Sequence, residues 1–260
     1  MEQMENRLDR AAALLQGDPL SGLETQGLPG RSSRSDGAVA STLAASGVHE
    51  FYADTFADAV AVNGFSLGAA LSLSPDCPLV WGVHDLGGLE NGRPHGPGLH
   101  QMGVAPEAVL VVRARDVRTL LGVGEDALRT REVATVLLSA WGEDRAFSLT
   151  ASRRLALAAR AGGKRLFLAR AQSAPQPSAA ESRWSVKAAA STPLEGGAPG
   201  RPAFCATLLR TRAGAALGTW IMEWDREARS FVAPSALSGG LVSLAAQRSA
   251  GQSGRLRRFA

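Results

Sequence analysis

A chain of 260 residues, 45% of them apolar, is long enough to bury the core of one large domain. It contains no continuous apolar run of about 18 to 20 residues, so we expect no membrane-spanning helix. The charged N-terminus MEQMENRLDR does not have the apolar region of a secretory signal peptide. Two cysteines, Cys77 and Cys205, are too few for a disulfide framework, which predicts a reducing, cytoplasmic setting.

The first 47 residues are predicted to lie outside the main domain. Residues 4–16, MENRLDRAAALLQ, place leucines and alanines on one helical face, which predicts a helix that ends before a Gly-Asp-Pro turn. Residues 17–47 are rich in Gly, Ser and Pro, a composition typical of linkers. We therefore expect an N-terminal helix and linker over residues 1–47.

Strands and helices are predicted to alternate from Val48 onwards. Continuous apolar runs such as PLVWGV are typical of strands that are buried in a parallel sheet. The predicted strands are 48–52, 78–83, 108–112, 133–138 and 165–169; the predicted helices are 57–73, 99–102, 116–130 and one that Thr150 or Ser152 caps and that runs through Arg160. A glycine-rich loop is expected over 87–98. This alternation predicts an α/β fold in which helices flank a mostly parallel sheet.

The C-terminal part of the chain is predicted to change to antiparallel pairing. One strand is expected at 183–188, and strands at 204–210 and 218–224 flank a glycine-containing turn, a pattern that indicates a β-hairpin. The core domain is thus expected to span residues 48–235. Residues 236–260 contain few large apolar groups and are expected to form a flexible basic tail.

The basic residues are concentrated in two segments, although the net charge of the chain is only +4. Residues 151–180 and 236–260 each contain several basic side chains and no acidic one. Such segments can bind nucleic-acid phosphates or dock into the groove of a partner protein, whereas a solvated helix face and an unstructured tail are the alternative. The candidate contact residues are Arg153, Arg154, Arg160, Lys164, Arg165, Arg255, Arg257 and Arg258.

The segment VHEFYADTFADAV runs from a strand through a turn into a helix, as the phosphate-binding loop of P-loop ATPases does. That loop has the pattern G-x-x-x-x-G-K-[ST], in which glycines let backbone N–H groups surround the phosphates and the lysine neutralises their charge. The four diagnostic positions hold Ala53, Asp58, Ala59 and Val60. The sequence therefore predicts a degenerate loop without a nucleotide cofactor.

Two other positions agree with the absence of ATPase chemistry. The first lysine of the chain is Lys164, and Arg165 follows it in place of the Ser or Thr that would hold magnesium. The strand VATVLL leads into Ser139, where the Walker B motif requires an aspartate for the metal. We therefore expect a protein that is not an enzyme.

A short motif of another enzyme class is also present. The run GFSLG at Gly64–Gly68 matches the nucleophile elbow G-x-S-x-G of α/β-hydrolases. That fold needs an acidic residue and then a histidine downstream of the serine, and the last histidine here is His100, only 34 residues after Ser66. The strand that should precede the elbow is replaced by helical sequence. We therefore expect no hydrolase triad.

The histidines do not form a compact metal-ligand pattern. Five side chains that could bind a metal fall within 24 residues: Cys77, His84, Asp85, His95 and His100. Their spacing matches no common ligand motif, and glycines and prolines separate them, so a surface loop is the expected structure. His49 alternates with Val48 on a strand and is expected to be a packing or edge residue.

The order of these elements resembles the RecA core. The run VHEFY corresponds to the strand before the phosphate loop, VATVLLSAW to the Walker B strand, and PLVWGVHD to the strand that ends at the catalytic glutamate, with His84 near that position. More specifically, the chain resembles the bacterial inducible-mutagenesis family ImuA over about residues 48–232. The matching runs are VHEFYADTFADAVAVNGFSLGAAL, LTASRRLALAAR, SRW at Ser182–Trp184, and TLLRTR followed by GTWIMEWDREARSF.

The resemblance implies a non-catalytic accessory of translesion synthesis that is induced by DNA damage. The family itself lacks a good P-loop, and it is encoded beside ImuB, an inactive relative of Y-family polymerases, and beside an error-prone replicative-type polymerase. The implied partners are ImuB with this polymerase complex, and RecA or its filament. Residues 1–47 and 236–260 are the expected docking elements, and direct DNA contact is a further expectation.

Three other functions stay open on the sequence alone. The SOS cell-division inhibitors are also degenerate RecA-like proteins and bind the tubulin-like division protein, although their chains are shorter. An ATPase with a non-standard site is the second alternative. A protein that binds DNA through its basic helix is the third, and it would show an affinity that falls steeply with salt.

Overall fold

The computed structural model describes residues 34–75 and 77–234. The helix expected at 4–16, most of the expected linker and the basic tail lie outside the described residues. The helices are α1 (Arg34–Ala44), α2 (Ala59–Leu73), α3 (Asp85–Asn91), α4 (Gly96–Gln101), α5 (Val117–Arg129) and α6 (Leu149–Ala161). The strands are β1 (Gly47–Ala53), β2 (Leu79–His84), β3 (Val109–Ala114), β4 (Thr135–Trp141), β5 (Arg165–Ala171), β6 (Ser182–Ala188), β7 (Ala203–Thr211), β8 (Thr219–Asp225) and β9 (Ser230–Val232).

The described strands form one sheet in the order β3-β2-β4-β5-β1-β6-β7-β8-β9. Pairing is parallel from β3 to β6 and antiparallel from β6 to β9. The strand before the degenerate loop, β1, lies inside the parallel part between β5 and β6. This arrangement confirms the predicted RecA-like α/β sheet with a C-terminal hairpin.

Helix α2 packs on one face of the sheet and α5 and α6 pack on the other. The face under α2 is rich in aromatic side chains: Phe51, Phe65, Phe167, Trp184, Phe204 and Trp224 are all at most 4% exposed. The face under α5 and α6 is aliphatic, with Val136, Leu138 and Leu166 fully buried. Parallel strands that are covered on both sides are hydrophobic along their whole length, which is the pattern that predicted them.

The apolar character of α2 bears on the expectation that no helix spans a membrane. Together with the 3₁₀ turn before it, residues Phe56–Leu73 form a helix that is long and apolar enough to cross a membrane by length and composition. More than half of these residues are buried in the structure. Because α2 contacts β1, β4, β5 and β6, its apolar surface is that of a core helix of the α/β domain.

Two regions that were predicted to be a linker and a loop contain helices. Residues 34–44 form α1, whose Val39 and Leu43 are buried in the core. The glycine-rich segment 87–98 lies largely in α3 and α4. The cap of α6 is also different, because Ser148 rather than Thr150 or Ser152 accepts the hydrogen bond from the Ala151 N–H.

One glycine of the run GFSLG, Gly68, allows the C-terminal strands to approach α2. Ser66 is fully buried inside the helix and donates a hydrogen bond to the Val62 carbonyl, so it is not an exposed nucleophile. A Cβ atom at Gly68 would lie 2.9 Å from both the Trp224 and the Phe231 ring. At Gly64 the nearest atom to such a Cβ would be 3.4 Å away, on Phe204. Only Gly68 is therefore required by close packing.

Buried His49 joins α1 to the sheet as a neutral side chain. Its Nε2 lies 2.8 Å from the Ala45 carbonyl and donates to it, and its Nδ1 accepts from the Ser182 hydroxyl at 2.7 Å. The Ser182 oxygen in turn accepts from the Trp184 indole N–H at 2.8 Å. Burial lowers the pKa of His49 to about 4, against a smaller opposing effect of the Ala45 hydrogen bond. The packing role expected for His49 is confirmed, whereas an edge position is wrong because β1 is interior.

Substitution of the two glycines of α2, Gly64 and Gly68, by alanine should have opposite effects on the free energy of unfolding. We expect Gly68→Ala to lower the free energy of unfolding by about 1 to 3 kcal/mol, because the new methyl group overpacks two aromatic rings. Gly64→Ala should leave it unchanged or raise it by up to about 1 kcal/mol, since alanine is the better helix former. Chemical denaturation of both variants measures the difference, and equal effects would contradict the packing argument.

Acid should destabilise the protein through His49. The unfolded histidine takes up a proton near its ordinary value of 6.5 and the folded one only near 4, so stability falls as the pH drops through this window. The expected loss is about 3 kcal/mol at most. In His49→Gln this slope between pH 6.5 and 4 should disappear from denaturation midpoints, whereas in the control His100→Gln, at an exposed position, it should stay.

Candidate functional site

The loop between β1 and α2 lies where a P-loop protein binds its phosphates, at the carboxyl edge of the parallel strands. Residues 54–58 contain no glycine, and Phe56–Asp58 form one 3₁₀ turn. Among the described residues other than glycine, positive φ angles occur at Gln172 and Arg229, neither of which is in this loop. A phosphate nest needs alternating right-handed and left-handed backbone so that successive N–H groups converge. This loop does not have that conformation.

The Asp58 side chain binds the hydrogen-bond donors of the loop. Its Oδ2 accepts from the Thr55 N–H at 3.1 Å and from the Thr55 hydroxyl at 2.6 Å, and its Oδ1 accepts from the Ala188 N–H at 2.9 Å. Burial raises the pKa of Asp58, but these hydrogen bonds and the nearby Lys187 outweigh it and hold the pKa below its ordinary value. An ionised carboxylate of the protein is thus bound where a P-loop would bind phosphate.

The Walker B position is part of a neutral hydrogen-bond chain. Ser139 on β4 accepts from the Trp81 indole N–H at 2.7 Å and donates to the Asn63 side-chain oxygen at 2.7 Å. These three side chains come from β4, β2 and the first turns of α2. They hold together the elements that in a nucleotide site would surround a magnesium ion, and none of the three is a carboxylate ligand.

A small cavity of about 30 Å³ lies beside this chain. Its lining includes Asn63, Trp81, Ser139 and His84. His84 is 8% exposed and its Nδ1 is buried without a hydrogen-bond partner in the described structure. The volume suits one or two waters and is far below that of a nucleotide.

The residues at this edge do not fit a nucleoside triphosphate with magnesium. The Asp58 carboxylate would repel the phosphates and already binds the local N–H donors. Ala59 has no cation, Val60 has no hydroxyl, and Ser139 is bound to Asn63. The structure therefore places all five degenerate positions at the carboxyl edge of the sheet: Ala53, Asp58, Ala59, Val60 and Ser139. Their arrangement stabilises the loop itself.

Exposed apolar side chains border the same edge. Phe56 is 53% exposed and packs edge-on against Trp141, at 5.4 Å between ring centroids. Gly87 of α3 lies against Trp141, which brings α3 next to the loop. We call the exposed side chains of these segments the apolar rim: Phe56, Val60, Leu86 and Leu89. Exposed apolar groups around a pocket are typical of protein-contact surfaces.

Most of the candidate basic residues of the helical segment have partners within the protein. Arg154 forms an ion pair with Glu125, and Arg160 forms one with Glu181. Lys164 is 8% exposed and donates to the Thr130 carbonyl, and Arg165 is half-buried. Arg153 remains exposed on α6. The tail residues Arg255, Arg257 and Arg258 lie outside the described residues, and contact of this set with DNA or a partner stays a prediction.

The five side chains considered as metal ligands are not brought together. Across residues 34–75 and 77–234, no group of three or more His, Cys, Asp or Glu side chains is arranged to hold a metal ion. Asp85 instead pairs with Arg113, and the Arg113 hydrogen bond lowers the pKa of Asp85. Cys77, His95 and His100 are exposed.

Sequence reasoning missed the residues that complete this edge. Asn63 and Trp81 lie in runs that were interpreted only as a helix and a buried strand. A polar residue in the first turns of an otherwise apolar helix was the available signal for Asn63, and nothing in the local sequence indicates its partner, which is 76 residues away. Ala188 contributes a backbone N–H, which no residue pattern encodes.

Comparison with known proteins gives structural likenesses to solved structures. A crystal structure of the RadB recombinase matches with a TM-score of 0.49 and 15% sequence identity, over 76% of this chain and 97% of that one. No family model matches the chain, and no curated protein sequence matches it. The fold assignment rests on the strand order and pairing described above.

Replacement of the loop carboxylate should weaken the fold. In Asp58→Asn an amide N–H₂ must face one of the N–H donors of Thr55 or Ala188, so we expect the free energy of unfolding to fall by about 1 to 3 kcal/mol. The matched control is Asp54→Asn, an exposed aspartate of the same loop, for which a change within about 0.5 kcal/mol is expected. Urea denaturation at pH 7 compares them.

The effect of Asp58 should also depend on pH. Because the pKa of Asp58 is lowered in the folded state, its stabilisation is present above the ordinary aspartate range near pH 4 and is lost on further acidification. Wild type and Asp58→Asn should therefore converge in stability as the pH falls below about 4. A stability difference that is unchanged down to pH 2 would contradict the assigned role of the carboxylate.

Proposed function

We propose that this chain is a non-catalytic accessory protein of DNA-damage-induced translesion synthesis. It acts in the cytoplasm through contacts with other proteins, ImuB with its error-prone polymerase complex and RecA among them. The hydrogen bonding of the Asp58 carboxylate within the degenerate loop is the observation that carries this proposal. The sequence runs that resemble ImuA supply the biological process and the partners.

The internal carboxylate supports a role without nucleotide hydrolysis. A P-loop gains its affinity from N–H donors that are free to bind phosphate and from a lysine. Here the Thr55 and Ala188 N–H groups are bound by Asp58, so a nucleotide would have to displace a charged hydrogen-bonded group of the protein. Loss of such bonds costs about 1.5 to 3 kcal/mol each. The loop is therefore stable without a ligand.

The apolar rim supports action through protein contacts. Leu89 is 73% exposed, Val60 61% and Phe56 53%, and all three belong to the segments that follow β1 and β2 at the carboxyl edge of the sheet. Hydrophobic surface that surrounds a rigid edge is suited to burial by a partner, and aromatic residues contribute strongly at such interfaces. We assign the main protein contact to this rim.

Disruption of the rim should release the partners. We expect full-length tagged protein from damage-treated cells to co-purify with ImuB and RecA, and Leu89→Glu to lower their recovery at least fivefold, because a charge is placed at the most exposed apolar side chain of the rim. Leu157→Glu on α6 is the matched control, since Leu157 is 65% exposed but lies on the other face of the sheet. Quantitative mass spectrometry measures the recovery.

Two outcomes would overturn parts of this proposal. Equal recovery of ImuB and RecA with Leu89→Glu and with Leu157→Glu would contradict the location of the contact, and absence of both partners from the wild-type sample would contradict the function. ATP hydrolysis by the purified chain, lost in Ser139→Ala, would contradict the non-catalytic role.

A further inference from the structure

A second polar site lies on the face of the sheet opposite α2, at the N-terminal end of α6. It is built on Arg170, near the end of β5, which is only 2% exposed. A cavity of about 20 Å³ lies beside this residue. The side chains that line the cavity come from β1, α5, β5, Phe147, the first half of α6 with Ser148 before it, and the segment 176–178.

The guanidinium of Arg170 is held by contacts that leave one of its edges without a hydrogen-bond partner in the described structure. Its Nη1 donates to the Tyr52 hydroxyl at 3.2 Å, and the group lies over the Phe147 ring at 4.0 Å from the centroid. Its Nε and Nη2 are buried without a hydrogen-bond partner in the described structure. These two nitrogens form the same edge of the guanidinium, where two parallel N–H bonds match the two oxygens of a carboxylate or phosphate.

The charges around Arg170 leave one positive charge without a partner. Glu50 lies in the same cluster, but its Oε2 is bound by Arg183 at 3.0 Å and by the Tyr52 hydroxyl at 3.4 Å. Arg183 is further held by the Gln176 carbonyl and the Ser178 hydroxyl. Two guanidinium groups and one carboxylate therefore share a buried site. An unpaired buried charge is costly, so this cluster favours an additional anion.

The start of α6 adds to the positive potential of the cavity. Ser148, Ala151 and Ser152 of its first turn line the cavity together with Arg170. The N-terminus of a helix carries unpaired N–H groups and a partial positive charge, which attract anions. This helix has 13 residues, so its dipole is well developed.

We propose that this cavity binds one carboxylate group, presented by an acidic side chain of a partner protein, on the unpartnered edge of Arg170. The small volume and the presence of Glu50 favour a single planar monoanion over a bulkier phosphate with more oxygens. Since the site lies on the face of the sheet opposite α2 and includes neither Asp58 nor the apolar rim, it does not depend on the function proposed above. An acidic segment that reaches it would contact the start of α6 and the segment 176–178.

The binding of small carboxylates to the full-length protein tests this site. The arginine Nε–H resonance of Arg170 is observed by NMR and assigned by its loss in Arg170→Lys. We expect it to shift saturably when sodium acetate, or the peptide acetyl-Gly-Glu-Gly-amide, is added at constant ionic strength. The corresponding glutamine peptide should produce no saturable shift.

Two variants make the test independent of changes at Arg170. Ala151→Leu places a larger side chain in the cavity at a helical position, and we expect it to weaken binding of the glutamate peptide at least tenfold. Arg153→Gln removes an exposed charge from the same helix and should leave the dissociation constant within twofold, because Arg153 does not line the cavity. Retained folding of both variants is checked by thermal melting.

Three results would overturn the proposal. The first is no saturable shift of the Arg170 resonance with either acetate or the glutamate peptide. The second is equal affinity for the peptide in wild type and Ala151→Leu. The third is saturation by inorganic phosphate or by a single-stranded oligonucleotide at lower concentrations than by the glutamate peptide, which would assign the site to phosphate or nucleic acid.

Discussion

The hydrogen bonds of Asp58 connect the loop, α2 and β6. Through Thr55 the carboxylate closes the 3₁₀ turn that leads into α2, and through the Ala188 N–H it joins that turn to the end of β6. Helix α2 begins one residue later, so this carboxylate fixes where the helix starts relative to the sheet. A bound phosphate organises the same segment in a P-loop protein, and here a covalently attached anion does so without a ligand.

The position of α2 in turn determines how the antiparallel part of the sheet is attached. Trp224 of β8 and Phe231 of β9 pack against α2 where Gly68 leaves room, and the Trp224 indole donates to the Met102 carbonyl beside α4. The hairpin thus rests on both the helix and the loop region of the parallel sheet. Any shift at the start of α2 would be passed to the hairpin through rigid aromatic contacts, because closely packed cores transmit small displacements.

The sequence predicts the parts of this architecture that depend on local pattern. The buried strands, α2, α5 and the hairpin are encoded in apolar runs and turn residues, and the loss of glycine and lysine at the phosphate loop is visible directly. The helix α1 was not predicted, because Gly37 and several serines outweigh the contribution of Val39 and Leu43, which become buried only by tertiary contact. Contacts such as Asp58 with Ala188 depend on strand order, which no local pattern specifies.

The degenerate loop and the Arg170 site differ in whether their charged groups have partners within the protein. This difference bears on where the chain can bind another molecule. At the degenerate loop the donors and the Asp58 carboxylate satisfy one another, so a ligand gains little by binding there. At Arg170 two N–H groups of a buried cation have no partner in the described structure, so an added anion gains both charge and hydrogen bonds. Of these two sites, the one at Arg170 is therefore where an anion would gain more by binding.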